Sequence, residues 1–211
     1  MALLAPRPSA PRGASRWIGR PALCALAGLA ISGQLHLEPV EASSAAGTGE
    51  RSAEYAVKVA LLFKLALFIE WPASDDGDPD AFVIGVLGED PFGPLLEEVV
   101  AGEAIGGLPV RILRGKDLEP LLASRILFIS RSESQRVEEV VAGSRDHGIL
   151  TVGDARGFCE RGGMVNLLVD SGRVGVELNR FEADRAGLQI NSKLIQLARD
   201  VPTRDRGAVG G

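Results

Sequence analysis

The sequence has few of the residues that build metal sites and nucleophilic active sites. Its 211 residues include two cysteines and two histidines, and one of each lies within the first 42 residues. The rest of the chain keeps only Cys159 and His147. This set is too small for a three- or four-ligand zinc site of the His/Cys kind. It also excludes a disulfide within residues 43–211, because a disulfide needs two cysteines.

The chain also lacks the loops that bind nucleotide phosphates or calcium. Neither G-x-G-x-x-G nor G-x-x-x-x-G-K-[ST] occurs after a predicted strand, and Pro91 removes an amide from the first such loop. The aspartates of Asp76–Asp80 alternate as in a calcium loop, but Ala81 replaces the required glycine and Leu87 the bidentate glutamate. We therefore predict no cofactor and no metal.

Catalytic groups are equally sparse. A Cys159–His147 pair is formally a nucleophile and a base, but the local sequences show no sign of activation. Asp154, Glu177 and Glu182 could act as paired carboxylates, although acidic residues at loops and strand edges are ordinarily solvated. We therefore predict that the protein is not an enzyme.

The first 42 residues have the order of a secretory signal peptide. Four arginines precede an apolar block, Pro21 to Gly33, which is too short for a membrane anchor. Val40-Glu41-Ala42 then places small residues at positions −3 and −1 of a cleavage site. We predict a signal peptide at 1–42, a flexible linker at 43–52, one domain at 53–200 and a disordered tail at 201–211. The localisation that follows is the periplasm.

The remaining chain is acidic. Without the four arginines and two glutamates of residues 1–42, it has 19 basic and 26 acidic side chains, a net charge of −7. No cluster of lysine or arginine stands out. Phosphate contacts dominate nucleic-acid affinity, and anionic lipid attracts basic segments, so the charge argues against both partners and against membrane insertion after processing.

The most informative stretch is EYAVKVALLFKLALFIEWP, residues 54–72. As a helix it is apolar almost all the way round, and Trp71-Pro72 ends it because a residue before proline avoids the helical region. Such a helix is buried either in its own core or against a partner. We place Lys64 at the rim of a partner or homodimer contact, with Leu61, Leu65 and Phe68 on the same side of the helix.

Strands and helices alternate through the rest of the domain. The clearest buried strands are Ala81 to Leu87 and Ile126 to Ser130, and Met164 to Leu178 reads as a late hairpin around Asp170-Ser171-Gly172. This alternation predicts an α/β fold, a three-layer sandwich with a mostly parallel central sheet of about five or six strands and a late antiparallel hairpin. Ligand-binding loops would follow the strands, at 88–93, 130–133 and 152–154.

Six ordered blocks carry a resemblance to a known family. They are Tyr55–Lys58 with Phe68–Pro72, Phe82–Gly88 with Pro91–Gly93, Ile126–Ser130, Leu150–Asp154 with Gly157–Phe158, Gly162–Asn166, and Arg185–Leu194. In these blocks the chain resembles the YfiR family over nearly all of 54–199.

The resemblance implies a function. The type member is a periplasmic protein that restrains an inner-membrane diguanylate cyclase, so release of such a protein raises cyclic di-GMP and favours biofilm. We expect the partner to be such a cyclase or another membrane sensor protein. The alternative is a periplasmic solute-binding or cell-wall-binding module that uses the loop end of the sheet.

Two positions depart from the family. Members often have a cysteine, tied to redox control, just before the ILFIS strand, where this chain has Ser124-Arg125. The asparagine common in the middle of the first helix is also missing, with Lys64-Leu65 in that region. Redox sensing by a disulfide within one chain is therefore not expected. Cys159 is left as a buried apolar thiol or as a site for a disulfide between chains.

Overall fold

A 26-residue helix, α1, spans Ser43–Phe68. The structure is a computed structural model that describes residues 43–72, 80–170 and 172–201. The predicted signal peptide 1–42 and the tail beyond Val201 lie outside these residues. The predicted linker 43–52 is helical instead, because extending a helix adds one hydrogen bond per residue without a new nucleation step. The helix ends before Trp71-Pro72, as expected.

Short strands and helices alternate after α1. In chain order they are β1 Ile69–Glu70, β2 Phe82–Leu87, α2 Leu95–Val100, β3 Ala104–Ile105, β4 Leu108–Gly115, β5 Ile126–Ile129, α3 Val137–Ser144, β6 Leu150–Gly153, β7 Val165–Asp170, β8 Arg173–Leu178, α4 Arg180–Arg185, β9 Gln189–Ile190, α5 Ser192–Leu197 and β10 Arg199–Asp200. Single turns of 3-10 helix lie at Glu119–Leu121, Arg131–Glu133, Arg145–His147 and Cys159–Arg161.

Eight of these strands form one sheet, in the order β10-β8-β7-β6-β5-β2-β4-β3. The five strands from β4 to β7 are parallel, and β7 and β8 form an antiparallel hairpin. Strands β1 and β9 pair separately. Because β2 lies between β4 and β5, the chain winds outward from β2 in both directions, as in doubly wound folds. In this sheet the strand order reverses between β2 and β5.

Buried apolar side chains form two clusters that share the sheet. In β5, Ile126 and Phe128 belong to the cluster that includes α1, whereas Leu127 and Ile129 belong to the cluster that includes α3. All four are at most 1% exposed, which explains why this strand reads as an apolar run rather than an alternation. Full burial of such a side chain contributes about 1.5–3 kcal/mol.

The predicted α/β class and the mostly parallel sheet are confirmed, and two details differ. The sheet has eight strands rather than five or six, because β3 and β10 are two-residue strands that periodicity cannot detect. The three-layer arrangement also differs in detail. The cluster on the α3 side takes its helical residues from α3 and single turns of 3-10 helix, since its members include Leu121 and Cys159.

One aromatic ring in the α3-side cluster depends on two glycines. Phe158 is fully buried, and a Cβ added at Gly153 or Gly163 would overlap its ring. Gly153 ends β6, and Gly163 follows the 3-10 turn that contains Cys159. The two glycines therefore make the space that this ring fills, which accounts for Gly153 and Gly163 in their sequence blocks.

Candidate functional site

A charged cluster lies at the carboxyl ends of the parallel strands, where the sequence placed the loops. Asp154 follows β6, and Arg131 follows β5. Helix α1 brings Glu54, Tyr55 and Lys58 to the same place. We call these five residues the Lys58 cluster. The i, i+4 spacing of Glu54 and Lys58 puts both side chains on one face of α1, and that face meets the sheet edge.

The centre of the Lys58 cluster is a buried ion pair. Lys58 is 0% exposed and Asp154 1% exposed, and Lys58 Nζ lies 2.8 Å from Asp154 Oδ2. Glu54 Oε1 lies 2.5 Å from Lys58 Nζ. Arg131 approaches from the solvent side, with Nε 3.1 Å from Asp154 Oδ2 and 3.0 Å from the carbonyl oxygen of Asp154. Two cations thus neutralise two carboxylates, which is the condition for burying such charges.

Tyr55 links this cluster to the aromatic core. Its hydroxyl donates a hydrogen bond of 3.3 Å to Asp154 Oδ2. Burial, followed by the negative charge of Asp154, raises the pKa of Tyr55 above its usual value. Its ring packs edge-on against Phe92, which packs edge-on against Phe128 of β5. Helix α1 is therefore attached to the sheet by both charge and aromatic contacts.

The cluster binds α1 to the sheet rather than offering reactive groups. Among the described residues, no group of three His, Cys, Asp or Glu side chains could hold a metal ion. Asp154 Oδ1 has no hydrogen-bond partner there. A buried acceptor without a donor costs about 1–3 kcal/mol. The favourable contacts of this aspartate are thus concentrated on Oδ2, which faces Lys58, Tyr55 and Arg131.

The point where the strand order reverses, between β2 and β5, is closed by its own loops. The amide of Glu89 donates a 2.9 Å hydrogen bond to Ser132 Oγ. Gly88 has φ +90°, and a Cβ there would overlap Ser132 Oγ and crowd Glu133. In doubly wound folds this crevice holds the ligand, but here Ser132 and Glu133 lie against the backbone of Gly88.

The three carboxylates singled out in the sequence are buried but lie in separate ion pairs. Glu177 accepts a 2.9 Å hydrogen bond from Asn166 and pairs with Arg199. Glu182 lies 3.4 Å from Arg145 and 3.5 Å from Arg185. Asp154 belongs to the Lys58 cluster. The expectation that they are solvated is therefore wrong, since all three are at most 8% exposed.

The predicted interface residues of α1 occupy different environments. Leu65 is 2% exposed and belongs to the core cluster, so it is not available to a partner. Leu61 and Phe68 are half-buried and pack against the same core. Lys64 is exposed, as expected for a rim residue. The structure thus removes Leu65 from the set and leaves the interface role of the other three a prediction.

The exposed face of α1 carries apolar residues that the sequence analysis did not single out. Val57 is 48% exposed and Leu67 59% exposed, and Ala60 and Lys64 lie exposed between them. The steps of three and four residues place these side chains along one stripe. We call Val57, Ala60, Lys64 and Leu67 the α1 stripe. The sequence could not show that this side of α1 is the exposed one, because the opposite side of the helix is equally apolar.

Cys159 does not have the properties of a residue that pairs between chains. It is 1% exposed, and its Sγ lies 3.8 Å from the carbonyl oxygen of Met164. Burial raises the pKa of its thiol to about 12, so the reactive thiolate is suppressed. His147 is exposed, in a separate 3-10 turn. Of the two interpretations of Cys159, the structure supports the buried apolar thiol.

Comparison with known proteins gives one family and several solved structures of low sequence identity, of which two are described. A family described as YfiR/HmsC-like matches residues 55–199, and no curated protein matches. A conserved domain protein from Vibrio cholerae O1 biovar El Tor is 14% identical with TM-score 0.49, over 71% of this chain and 60% of that one. The ABC domain from Streptococcus pneumonia in complex with L-Trp is 15% identical with TM-score 0.44, over 58% and 56%. This chain thus spans less than two thirds of either protein.

No helix among the described residues is long and apolar enough to cross a membrane.

Proposed function

Because this chain belongs to the YfiR/HmsC-like family, we propose that it is an exported regulatory protein without catalytic activity. It binds the periplasmic part of a membrane diguanylate cyclase and restrains the production of cyclic di-GMP. The observation that carries this proposal is the family match over 55–199, which covers the sheet as far as Arg199 and all of the α1 stripe. Residues 1–42 direct export, and the mature protein acts in the periplasm.

The α1 stripe supports a protein partner. Full burial of a Val or Leu side chain contributes about 1.5–3 kcal/mol. Val57 and Leu67 are about half exposed, so covering both would contribute roughly 1–3 kcal/mol. A stable interface buries about 1,200–2,000 Å² in total, so the stripe can be only part of such an interface. Lys64 lies within the stripe, and its place at the rim of the interface stays a prediction.

The closed crevice between β2 and β5 favours binding over catalysis. Ser132 and Glu133 take the place where a doubly wound fold holds its ligand. The ionisable groups of the Lys58 cluster are engaged with one another. A macromolecular partner on the outer face of α1 does not require either place to open.

Two measurements test the proposal. Deletion of the gene should raise cellular cyclic di-GMP, and the full chain, tagged and produced from its own gene, should co-purify a diguanylate cyclase from detergent-solubilised membranes. Leu67→Glu should reduce this capture and leave the melting temperature unchanged. Leu197→Glu is the matched control, because Leu197 is 76% exposed and lies in α5. Unchanged cyclic di-GMP together with no captured cyclase would contradict the proposal.

A second function is supported by a cleft beside the hairpin. This cleft, of about 460 Å³, is lined by Arg156, Leu168, Glu177, Leu197 and Arg199 among others. Its volume lies within the range of small-molecule sites, and its mixed charges suit a zwitterionic solute or a cell-wall fragment. Calorimetry with purified muropeptides and amino acids tests this module. Saturable binding that Arg199→Ala abolishes would favour it over cyclase regulation.

A further inference from the structure

A groove lies between residues 51–57 of α1 and the β7–β8 hairpin. Arg51, Ala53, Glu54 and Val57 line it from the helix, and Val169, Gly172, Arg173 and Val174 line it from the hairpin. Its volume is about 850 Å³. Val57 belongs to both the groove and the α1 stripe, so the two surfaces are continuous.

The floor of the groove is apolar. Val57 is 48% exposed and Val169 is 42% exposed, and both are among the exposed large apolar side chains of the described residues. Val174 is half-buried against the core below them. A floor of β-branched side chains favours an occupant with apolar side chains of its own, because each contact removes apolar surface from water.

The charges at the groove are unbalanced. Glu54 is already within 2.5 Å of Lys58 Nζ and 3.6 Å of Arg131. Arg51 and Arg173 are exposed, and neither forms an ion pair with a carboxylate in the described part of the chain. The whole chain has a net charge of −5. Two cations that form no ion pair within the described residues lie at one apolar groove of an acidic protein, and they attract an acidic occupant.

We propose that this groove receives an apolar segment of the partner that is flanked by aspartate or glutamate. The inference rests on the proposed function, since it takes the segment to belong to the periplasmic part of the cyclase. The apolar residues of the segment cover Val57 and Val169, and its carboxylates lie against Arg51 and Arg173. The apolar contact supplies affinity, and the two charge pairs select the partner and its direction along the groove.

The test uses two charge-reversal variants of the full chain. Arg51→Glu with Arg173→Glu reverses the groove, and Arg111→Glu with Arg180→Glu makes the same change of charge on exposed residues elsewhere. All four side chains are exposed, so both variants should keep the wild-type circular dichroism spectrum and melting temperature. Val57→Asp is a third variant that changes the apolar floor without touching either arginine.

Binding is measured against the purified periplasmic part of the cyclase that the wild-type protein captures. The groove variant should bind it about tenfold more weakly or worse in ~50 mM salt, and the difference should shrink in ~500 mM salt. The control variant should bind like the wild type. Changing the acidic residues of the cyclase segment to arginine should restore binding to the groove variant and weaken binding to the wild type.

The outcomes separate this inference from the proposed function. If the wild type binds the cyclase and the groove variant and Val57→Asp bind it equally well, the groove inference is overturned and the proposed function stands. If sedimentation shows that the variants change only self-association, the occupant is a second copy and the inference is again overturned. If the wild type binds no cyclase, the proposed function fails, and this inference fails with it.

Discussion

Replacing Lys58 by methionine tests whether the Lys58 cluster holds α1 on the sheet. The change keeps the apolar stem and removes the ammonium group that lies 2.8 Å from Asp154 Oδ2. Asp154, at 1% exposure, then loses its buried counter-ion. Breaking a buried pair from one side costs about 3–5 kcal/mol. We expect a value near the lower limit, because Arg131 stays 3.1 Å from the carboxylate and is itself 54% exposed.

The assay is urea denaturation of the purified protein, followed by circular dichroism. A loss of about 3 kcal/mol corresponds to a fall of about 6–12 °C in melting temperature for a domain of this size. Lys64→Met is the matched control: it makes the same change on the same helix, at an exposed lysine. The control should change the free energy of unfolding by less than about 0.5 kcal/mol.

A double variant separates the ion pair from the packing. Lys58→Met with Asp154→Leu replaces the pair by apolar side chains, and buried pairs replaced in this way are often neutral or stabilising. We therefore expect it to recover most of the stability lost by Lys58→Met alone. The reasoning is refuted if Lys58→Met unfolds at the same urea concentration as Lys64→Met.

The remaining predictions concern the core. Cys159 should react with a maleimide only when the chain is unfolded. Burial raises the pKa of its thiol to about 12, whereas the pKa in the unfolded chain is about 8.5. As the pH rises, the unfolded state therefore loses this proton first. The free energy of unfolding should fall between about pH 9 and pH 12 more steeply than in Cys159→Ala. Leu65→Glu should unfold the domain while Leu67→Glu leaves it folded, since the two side chains are 2% and 59% exposed; equal melting temperatures would contradict this. Gly163→Ala should cost about 1–3 kcal/mol in chemical denaturation, because the added methyl group displaces the ring of Phe158.

The strands could be predicted from the sequence because their signal is local. The run Ile126–Ile129 is apolar throughout, and the structure buries alternate residues in the two clusters. The hairpin was predicted around Asp170-Ser171-Gly172 and lies between β7 and β8. The predicted loop at 152–154 overlaps the end of β6, and only its last residue, Asp154, follows the strand. These features depend on neighbouring residues and on general rules of parallel sheets.

The orientation of α1 could not be predicted in the same way. A helix that is apolar all round gives no periodic signal for which side meets the sheet. Leu65 and Leu67 are identical residues in the same apolar run, yet Leu65 is in the core and Leu67 is exposed. The useful signal was Lys58, a lysine four residues after Glu54 and just before the apolar run. Its partner, Asp154, could be placed beside it only once the sheet order was known.

The Lys58–Asp154 pair also joins two parts of the chain that are made far apart in time. The two residues are 96 positions apart, and α1 is synthesised before every strand that its core-facing side covers. An isolated helix of this length forms within about a microsecond, but its lysine has only Glu54 of the same helix as a partner until Asp154 has been made. A nascent chain that stops before Ile126 therefore presents an apolar helix that has only α2 and the first strands to pack against. We expect such fragments to aggregate or to remain bound to chaperones, and α1 to dock late in folding, after the long-range strand pairings that make folding slow.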